Sequence, residues 1–303
     1  MNNMRILFVA NHIGFIEPLG MMLISALAKK RGHETFLAVL SSEDALDKAR
    51  KIKPDMVCYS VTTGEQSRYI NFNKKLKKEM PGVFSIMGGM HPTFFPEVVN
   101  EGDLDAVCIG EGDEAFPELL ELMVEGRSLT GMRNILLAGE NPAAKKIRPL
   151  FQNLDSLPFP DRELIYGNKN TGMAEFPMKS FMAGRGCAFA CTYCFNKPYR
   201  DLYNNKTPYV RTKSVEKIIA EIKEVKNKYC LDFIKFYDDI FAYKADGWLR
   251  DFVKIYKQEV NIPFQCLLRV NLVTEDMVKL LKEAGCKSVS LSIEAGNPEA
   301  RTK

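Results

Sequence analysis

The sequence predicts an α/β protein of two domains, the first of which is a doubly wound parallel sheet. In the first half of the chain, short apolar runs alternate with helical patterns, which indicates parallel strands with helices on both faces. The 303 residues are enough for two domains that each bury a core. A proline-containing stretch at 153–162 interrupts the alternation, and a second series of strands and helices follows it.

In the first domain, turn residues mark the joins between the expected strands and helices. Gly32 ends the first helix, Pro54 precedes the third strand, and Pro81 precedes the fourth. The expected strands are Ile6–Ala10, Thr35–Val39, Met56–Ser60, Val83–Met87 and Ala106–Ile109, and the expected helices are Gly20–Lys30, Glu43–Lys51, Gln66–Glu79, Phe94–Glu101 and Ala115–Glu125.

The second domain is expected to begin after an extended connector, because Pro158 and Pro160 exclude a helix or a central strand. We therefore expect a first domain at 1–150, a linker at 151–177 and a second domain at 178–303. Ser214 and Thr274 are expected N-caps. The expected strands are Ser180–Ala183, Phe233–Tyr237, Phe264–Leu268 and Ser288–Ile293, and the expected helices are Ser214–Tyr229, Gly247–Glu259 and Glu275–Ala284.

Composition argues against several classes of protein. A net charge of +4 is too small to indicate a nucleic-acid partner. No run of about 18 apolar residues predicts a membrane span. The N-terminus enters a strand directly, which leaves no room for a targeting peptide. Eight cysteines without a secretory signal fit a reducing compartment. We expect a cytoplasmic protein.

Three cysteines stand close together in the run Gly-Arg-Gly-Cys-Ala-Phe-Ala-Cys-Thr-Tyr-Cys-Phe. Cys187, Cys191 and Cys194 have the spacing C-x3-C-x2-C, and soft thiolates suit iron–sulfur clusters. With no fourth cysteine nearby, one iron of a 4Fe–4S cluster would keep open positions for the amino and carboxylate groups of S-adenosylmethionine (SAM). A zinc site is the alternative, although structural zinc usually takes four ligands. The remaining cysteines are expected in apolar cores: Cys58, Cys108, Cys230, Cys266 and Cys286.

The cysteine run resembles the signature of the radical SAM enzymes, with an aromatic residue, Tyr193, before the last cysteine. This resemblance implies a partial barrel of six strand–helix units, of which four are present here, so we expect an incomplete, C-terminally truncated barrel. It also implies a 4Fe–4S cluster, SAM, an electron donor such as flavodoxin or ferredoxin, and a small-molecule or peptide substrate.

The same resemblance implies a set of SAM-binding residues. Asp238-Asp239-Ile240-Phe241 is similar to the family's D-D-x-F, where a carboxylate would receive the ammonium of SAM. An alternative is that this Asp pair caps the next helix. Ile293-Glu294-Ala295-Gly296 is similar to the family's I-E-S-G. The expected SAM residues are Tyr193, Asp238, Asp239, Arg269 and Glu294.

Loops after the third, fourth and fifth strands are similar to those of cobalamin-binding domains of B12-binding radical SAM proteins. They read Ser60-Val61-Thr62, Gly88-Gly89-Met90-His91 and Gly110-Glu111-Gly112-Asp113-Glu114. In such sheets, ligands bind beyond the carboxyl ends of the strands. His91 would touch the corrin or cap the following helix. The family's D-x-H-x-x-G is absent, which implies cobalamin bound without a protein imidazole. The expected cobalamin residues are Ser60, Thr62, Gly88, Gly89, His91, Glu111 and Gly112.

The resemblance leads to three hypotheses about function. The leading one is a cobalamin-dependent radical SAM enzyme, a methyltransferase, that generates a 5′-deoxyadenosyl radical and methylates an unactivated carbon. The second is a truncated, non-catalytic protein that binds cobalamin or an iron–sulfur cluster. The third is radical SAM chemistry without cobalamin, such as sulfur insertion. Methylthiotransferases carry three extra cysteines in the N-terminal domain, and Cys58 and Cys108 alone do not supply them.

Overall fold

The computed structural model describes residues 3–204 and 208–301. The chain folds into two compact units, each of which is assembled from separate stretches of sequence. Unit 1 comprises Met1–Phe151, Leu157–Ala174 and Pro198–Thr207, and unit 2 comprises Gln152–Ser156, Glu175–Lys197 and Pro208–Lys303.

A six-stranded sheet in the order β2-β1-β3-β4-β5-β6 forms the centre of unit 1. Neighbouring strands from β2 to β5 are parallel, and β6 pairs antiparallel with β5. The strand order reverses between β1 and β3, which is where ligands bind in doubly wound folds. The α/β class with a parallel sheet is confirmed. The strands are β1 Arg5–Ala10, β2 Glu34–Val39, β3 Met56–Ser60, β4 Phe84–Gly88, β5 Ala106–Cys108 and β6 Ile135–Leu137.

The helices of unit 1 bury apolar stripes against this sheet. In α3, Tyr69, Phe72 and Leu76 are buried, whereas Lys74, Lys75 and Lys78 are exposed. The Asp44 carboxylate caps α2 by accepting from the backbone nitrogens of Leu46 and Asp47. The helices are α1 Leu19–Lys30, α2 Ala45–Ile52, α3 Gln66–Glu79, α4 Met90–Phe94, α5 Ala115–Val124 and α6 Arg162–Tyr166.

One expectation for unit 1 was wrong, and one strand was missed. The single helix expected at Phe94–Glu101 is instead the short α4 followed by a 3-10 turn at Pro96–Asn100. Pro96 lacks a backbone N–H and cannot continue the preceding helix. The antiparallel edge strand β6 has only three residues and was not expected.

The stretch after the proline-containing connector is fixed to the body of unit 1 by a buried ion pair. Arg162 of α6 donates from Nη1 to Glu17 Oε1 at 2.7 Å, and the Glu17 side chain is 0% exposed. Asp161 accepts from Ser25 Oγ at 2.6 Å. Residues 157–174 therefore belong structurally with the first sheet.

Unit 2 contains a second parallel sheet whose strands follow one another in chain order, as in an opened barrel. Its order is β12-β11-β10-β7, and a separate antiparallel pair joins β8 to β9. Ser214 and Thr274 cap the helices that follow them, as expected, by accepting from Lys217 N and Met277 N. The strands are β7 Met178–Phe181, β8 Gly184–Arg185, β9 Arg211–Thr212, β10 Phe233–Phe236, β11 Phe264–Leu267 and β12 Cys286–Ser290.

Aromatic rings fill the core of unit 2. Phe236 lies at its centre, 4.7 Å from Phe241, 5.8 Å from Phe252 and 5.5 Å from Phe264 between ring centroids. Cys266 is buried in this core, whereas Cys230 is exposed, so core packing was the wrong expectation for Cys230. The helix α7 Asn196–Leu202 begins in unit 2, and its residues from Pro198 belong to unit 1. The other helices of unit 2 are α8 Val215–Lys228, α9 Gly247–Glu259, α10 Glu275–Glu283 and α11 Pro298–Arg301.

Among the described residues, every helix is too short or too polar to cross a membrane.

Candidate functional site

The three clustered cysteines lie on an irregular loop of unit 2, between β8 and α7, and all three are half-buried. Each thiol meets a polar side chain from another part of the unit or from the loop's own end. Tyr243 hydrogen-bonds to Cys187. Arg269 Nη1 donates to Cys191 Sγ at 3.1 Å, and Asn196 Nδ2 donates to Cys194 Sγ at 3.6 Å.

Tyr243 holds the first part of this loop. Its hydroxyl accepts from Ala188 N at 3.1 Å, and its ring stacks on Phe189 with 6.5 Å between centroids. Burial raises the pKa of the Cys187 thiol, and the hydrogen bond from Tyr243 acts in the opposite direction. Since the thiolate is the metal-ligating form, Tyr243 favours the state in which Cys187 can bind iron.

Arg269 follows β11 and lies directly on the cysteine loop. Its guanidinium stands 4.0 Å from the centre of the Phe189 ring, in addition to its contact with Cys191. A cation over an aromatic face is attracted by the ring quadrupole. Arg269 was expected at SAM, and its observed partners are Cys191 and the Phe189 ring of the loop and, through Nε, Asn271 Oδ1 at 2.8 Å. Tyr193 hydrogen-bonds to Glu294, so two further expected SAM residues meet beside Cys191.

The donor set of this loop suits a cubane cluster. Among residues 3–204 and 208–301, no three Cys, His, Asp or Glu side chains converge as ligands of a single metal ion. A cubane requires a different arrangement, because each of its cysteines binds a different iron. Three thiols within one short loop, each next to a hydrogen-bond donor, fit that requirement on chemical grounds.

Asp238 binds the backbone that leads into the cysteine loop. Its carboxylate accepts from Ala183 N at 3.1 Å and from Gly184 N at 2.5 Å. The side chain is buried, and this burial raises the pKa of Asp238 to about 7. The two hydrogen bonds from the backbone act against that rise. Because both carboxylate oxygens are engaged in this way, Asp238 shapes the entry to the loop.

Asp239 lines a cavity of about 190 Å³ in unit 2. The Asn196 amide donates to its carboxylate, and burial raises the pKa of Asp239. Arg185 and Arg211 line the same cavity, together with Trp248. The cavity thus combines cationic groups for a carboxylate with an anionic group for an ammonium, as an amino acid ligand requires.

In unit 1, the loops after β3 and β4 meet at the carboxyl edge of the sheet. Ser60 pairs with Gly88 in the parallel register. A Cβ on Gly89, where φ is +97°, would lie 2.7 Å from Val61 N, so glycine is needed there for close backbone packing. The side chains of Ser60 and Thr62 are exposed at this edge.

Thr93 connects this pair of loops to the loop after β5. Its hydroxyl donates to Gly89 O at 2.7 Å and accepts from Gly110 N at 3.0 Å. The threonine is 2% exposed. The three loops expected to bind cobalamin are therefore joined by hydrogen bonds within unit 1.

His91 is buried inside α4 and does not cap it. Its ring stacks on Phe95 at 5.3 Å between centroids, and Nδ1 lies 3.2 Å from Thr63 Oγ1. Gly89 is the N-cap residue, so the capping alternative was wrong. Burial lowers the pKa of His91, which favours the neutral imidazole.

Tyr203 packs against the loop after β5. Its hydroxyl accepts from Glu111 N at 2.9 Å, and Glu111 Oε2 accepts from Phe151 N at 3.1 Å. A Cβ on Gly110, where φ is +77°, would lie 2.2 Å from the Tyr203 hydroxyl oxygen. A Cβ on Gly112 would lie 3.1 Å from Ile24 Cδ1. Packing within unit 1 therefore requires a small residue at Gly110.

Two family models match the chain in succession. The B12 binding domain matches residues 6–120, and the Radical SAM superfamily matches residues 182–303. The chain belongs to the B12-binding radical SAM proteins. The B12-binding domain falls on unit 1 and contains the three joined loops, and the radical SAM domain contains the cysteine loop.

Two curated proteins are similar to nearly the whole chain. The uncharacterized methyltransferase PH0819 of Pyrococcus horikoshii is 28% identical over 293 residues, which cover 93% of this chain and 61% of the relative. Hopanoid C-3 methylase of Methylococcus capsulatus is 26% identical over 305 residues, covering 95% and 55%. The chain thus spans little more than half the length of these relatives.

A solved structure shares the fold of this B12-binding radical SAM chain. It is TsrM, a radical S-adenosylmethionine methyltransferase from Kitasatospora setae, with tryptophan substrate and a SAM analog bound. The TM-score is 0.74 at 15% identity, covering 98% of this chain and 60% of TsrM.

Sequence reasoning missed four residues of the candidate site in this radical SAM protein. Thr93 joins two loops of the B12-binding domain, and Tyr203 packs against one of them. Asn196 and Tyr243 contact cysteines of the loop in unit 2. Asn196 could have been predicted, because it is a polar residue only two positions after Cys194 in the sequence. The other three act through contacts distant in sequence, for which the pattern carries no signal.

Proposed function

We propose that this chain supports cobalamin-dependent radical SAM methyl transfer to an unactivated carbon. The observation that carries the proposal is the loop with Cys187, Cys191 and Cys194, in which each thiol has its own hydrogen-bond donor. When bound, a 4Fe–4S cluster supplies an electron for SAM cleavage to a 5′-deoxyadenosyl radical, and cobalamin carries the methyl group.

In this proposal, Cys187, Cys191 and Cys194 would hold the 4Fe–4S cluster, which would leave room for SAM to bind beside it. Asp239 receives the SAM ammonium through a charge-assisted hydrogen bond. Asp238 holds the backbone of Ala183 and Gly184, which keeps the cysteine loop in position. Arg269 stabilises the Cys191 thiolate, while Tyr193 and Glu294 form the outer wall beside it.

For cobalamin, we propose the edge of unit 1 at the reversal of strand order. The exposed hydroxyls of Ser60 and Thr62 lie there, and Phe15 after β1 is 67% exposed. Hydroxyls beside an apolar surface suit a ligand with a polar tail and a large ring. The other cobalamin residues proposed are Gly88, Gly89, His91, Glu111 and Gly112.

The domain limits and partners belong to the same proposal. Residues 1–150 would form the cobalamin domain, 151–177 the linker and 178–303 the radical SAM domain. The matches at 6–120 and 182–303 support the two domains, and residues 157–174 of the linker pack with unit 1. The methyl acceptor would be a small molecule or a peptide, and the electron donor flavodoxin or ferredoxin. We propose a cytoplasmic location, where reduced thiols and such donors occur.

Anaerobic reconstitution tests this function. The chain is loaded with iron, sulfide and cobalamin, and deoxyadenosine release from SAM is measured under reductant. Replacing Cys191 with alanine is expected to abolish both the cluster absorption and deoxyadenosine release. Replacing the exposed Cys230 with alanine is the matched control and should leave both unchanged. Survival of deoxyadenosine release in the Cys191→Ala variant would contradict the proposal.

A non-catalytic protein that binds cobalamin and a cluster is the second candidate. Along β12 and just after it, Val289, Leu291 and Ile293 are 37%, 49% and 66% exposed. Exposed apolar side chains at a sheet edge favour an incompletely enclosed reaction chamber within the described residues. Binding of both cofactors without deoxyadenosine release would support this candidate. A chain that cleaves SAM but does not bind cobalamin would support radical SAM chemistry without cobalamin.

A further inference from the structure

Asn196 is a buried amide that contacts both halves of the proposed cluster and SAM site. It is the first residue of α7 and is 3% exposed. Its Nδ2 donates to Cys194 Sγ at 3.6 Å, and the same amide donates to the Asp239 carboxylate. A carboxamide has two N–H donors, so one N–H is available for each of these partners.

The orientation of this amide is fixed by Tyr209. The Tyr209 hydroxyl donates to Asn196 Oδ1 at 2.7 Å. A rotation that exchanged oxygen and nitrogen would lose this bond and would turn the carbonyl oxygen toward the sulfur and the carboxylate, both of which are acceptors. The N–H groups are therefore held toward Cys194 and Asp239.

We propose that Asn196 is a positioning residue that raises the reduction potential of the cluster and holds Asp239 ready for the SAM ammonium. This inference rests on the proposed function. Reduction adds negative charge to a cluster, and an N–H donated to a ligating sulfur stabilises that charge, so the hydrogen bond raises the potential. The second N–H keeps the Asp239 carboxylate in one orientation, which lowers the entropy lost when SAM binds.

The test replaces Asn196 with leucine, which is close to it in size and has no donor. We expect the variant to retain a cluster whose reduction is about tenfold less favourable. This corresponds to a midpoint potential lowered by about 59 mV for one electron. We also expect SAM to bind about tenfold more weakly. The potential is measured by an EPR-monitored redox titration, and SAM affinity by the change in the EPR signal of the reduced cluster.

Asn73 provides a matched control in unit 1. It is 0% exposed, its Oδ1 accepts from Tyr59 at 2.7 Å, and its Nδ2 donates to Gly102 O at 2.8 Å. Asn73→Leu therefore removes a buried amide that also accepts from a tyrosine hydroxyl but contacts no cysteine or carboxylate. We expect it to lower stability without changing the potential or the SAM affinity.

A second variant, Tyr209→Phe, keeps the Asn196 amide and frees its orientation. It should shift both readouts in the same direction by a smaller amount, and it decides the question if Asn196→Leu fails to take up iron. The inference about Asn196 would be overturned if the potential and the SAM affinity were unchanged in these variants, or if Asn73→Leu shifted them equally. The proposed function would not be affected by that result. Absence of a cluster in the unsubstituted chain would contradict the proposed function, and this inference with it.

Discussion

The contact between Gly110 and Tyr203 leads to a quantitative prediction about the loop after β5. An alanine Cβ at position 110 would stand 2.2 Å from the Tyr203 hydroxyl oxygen, and the backbone there has φ +77°. The left-handed conformation costs an L-residue roughly 1–2 kcal/mol. Overpacking adds about 1–3 kcal/mol. Gly110→Ala is therefore expected to lower the free energy of unfolding by about 2–5 kcal/mol.

Gly126 separates these two costs. Its φ is +65°, and a Cβ added there would meet nothing within 4 Å. Gly126→Ala should therefore cost only the conformational part, roughly 1–2 kcal/mol. Urea denaturation followed by circular dichroism gives both values. If Gly110→Ala costs no more than Gly126→Ala, the steric reasoning is refuted.

The double variant Gly110→Ala/Tyr203→Phe tests the identity of the clashing atom. Without the hydroxyl, the nearest atom to the added Cβ is Tyr203 Cζ at 3.1 Å. We expect the double variant to be more stable than the sum of the single effects by more than about 0.5 kcal/mol, since residues in contact do not act additively. Additive effects would show that the alanine is accommodated by a shift elsewhere.

Three further predictions concern unit 2. The pKa of Asp238 is about 7 in the folded chain and 3.8 ordinarily. Between these two pH values the folded state therefore holds a proton that the unfolded state has lost. The free energy of unfolding should fall by up to about 1.4 kcal/mol per pH unit as the pH rises through that window. Asp238→Asn should remove this slope in pH-dependent urea denaturation. Arg269→Gln should speed iron loss to a chelator, whereas Arg250→Gln, at an exposed ion pair with Asp276, should not; equal rates would contradict the role of Arg269. Phe236→Ala should cost about 3–5 kcal/mol in urea denaturation, and a cost below 1 kcal/mol would contradict its central place in the core.

Periodicity in the sequence was enough to predict most strands and helices. The helices α3 and α9 occur at the expected residues, because a long amphipathic stripe is a local signal. In α9 the N-cap Asp246 adds a second local signal. The three-residue β6 could not be predicted, since its pairing with β5 depends on residues about 30 positions away. The break at Pro96 was a local signal that the helical pattern around it concealed.

The part of the candidate site that depends on the spacing of residues in the sequence could be predicted. The cysteine loop follows from C-x3-C-x2-C alone. The separate roles of Asp238 and Asp239 do not, because adjacent aspartates are identical in sequence and differ only in which backbone nitrogens and amides they face. Arg269 could be assigned to SAM from its position after a strand. Its contact with Cys191 could not be predicted, because the two residues are far apart in sequence and only the fold brings them together.

Unit 1 is built from three separated stretches of sequence, and this limits how the protein can be dissected. A recombinant fragment that stops at residue 151 would lose Arg162 and leave the fully buried Glu17 carboxylate without its cation. Removing one partner of a buried ion pair costs about 3–5 kcal/mol, a large part of the stability of a typical domain. The same fragment would lack Tyr203. Cobalamin titrations should therefore be performed on the intact polypeptide, because such a fragment would report its own instability.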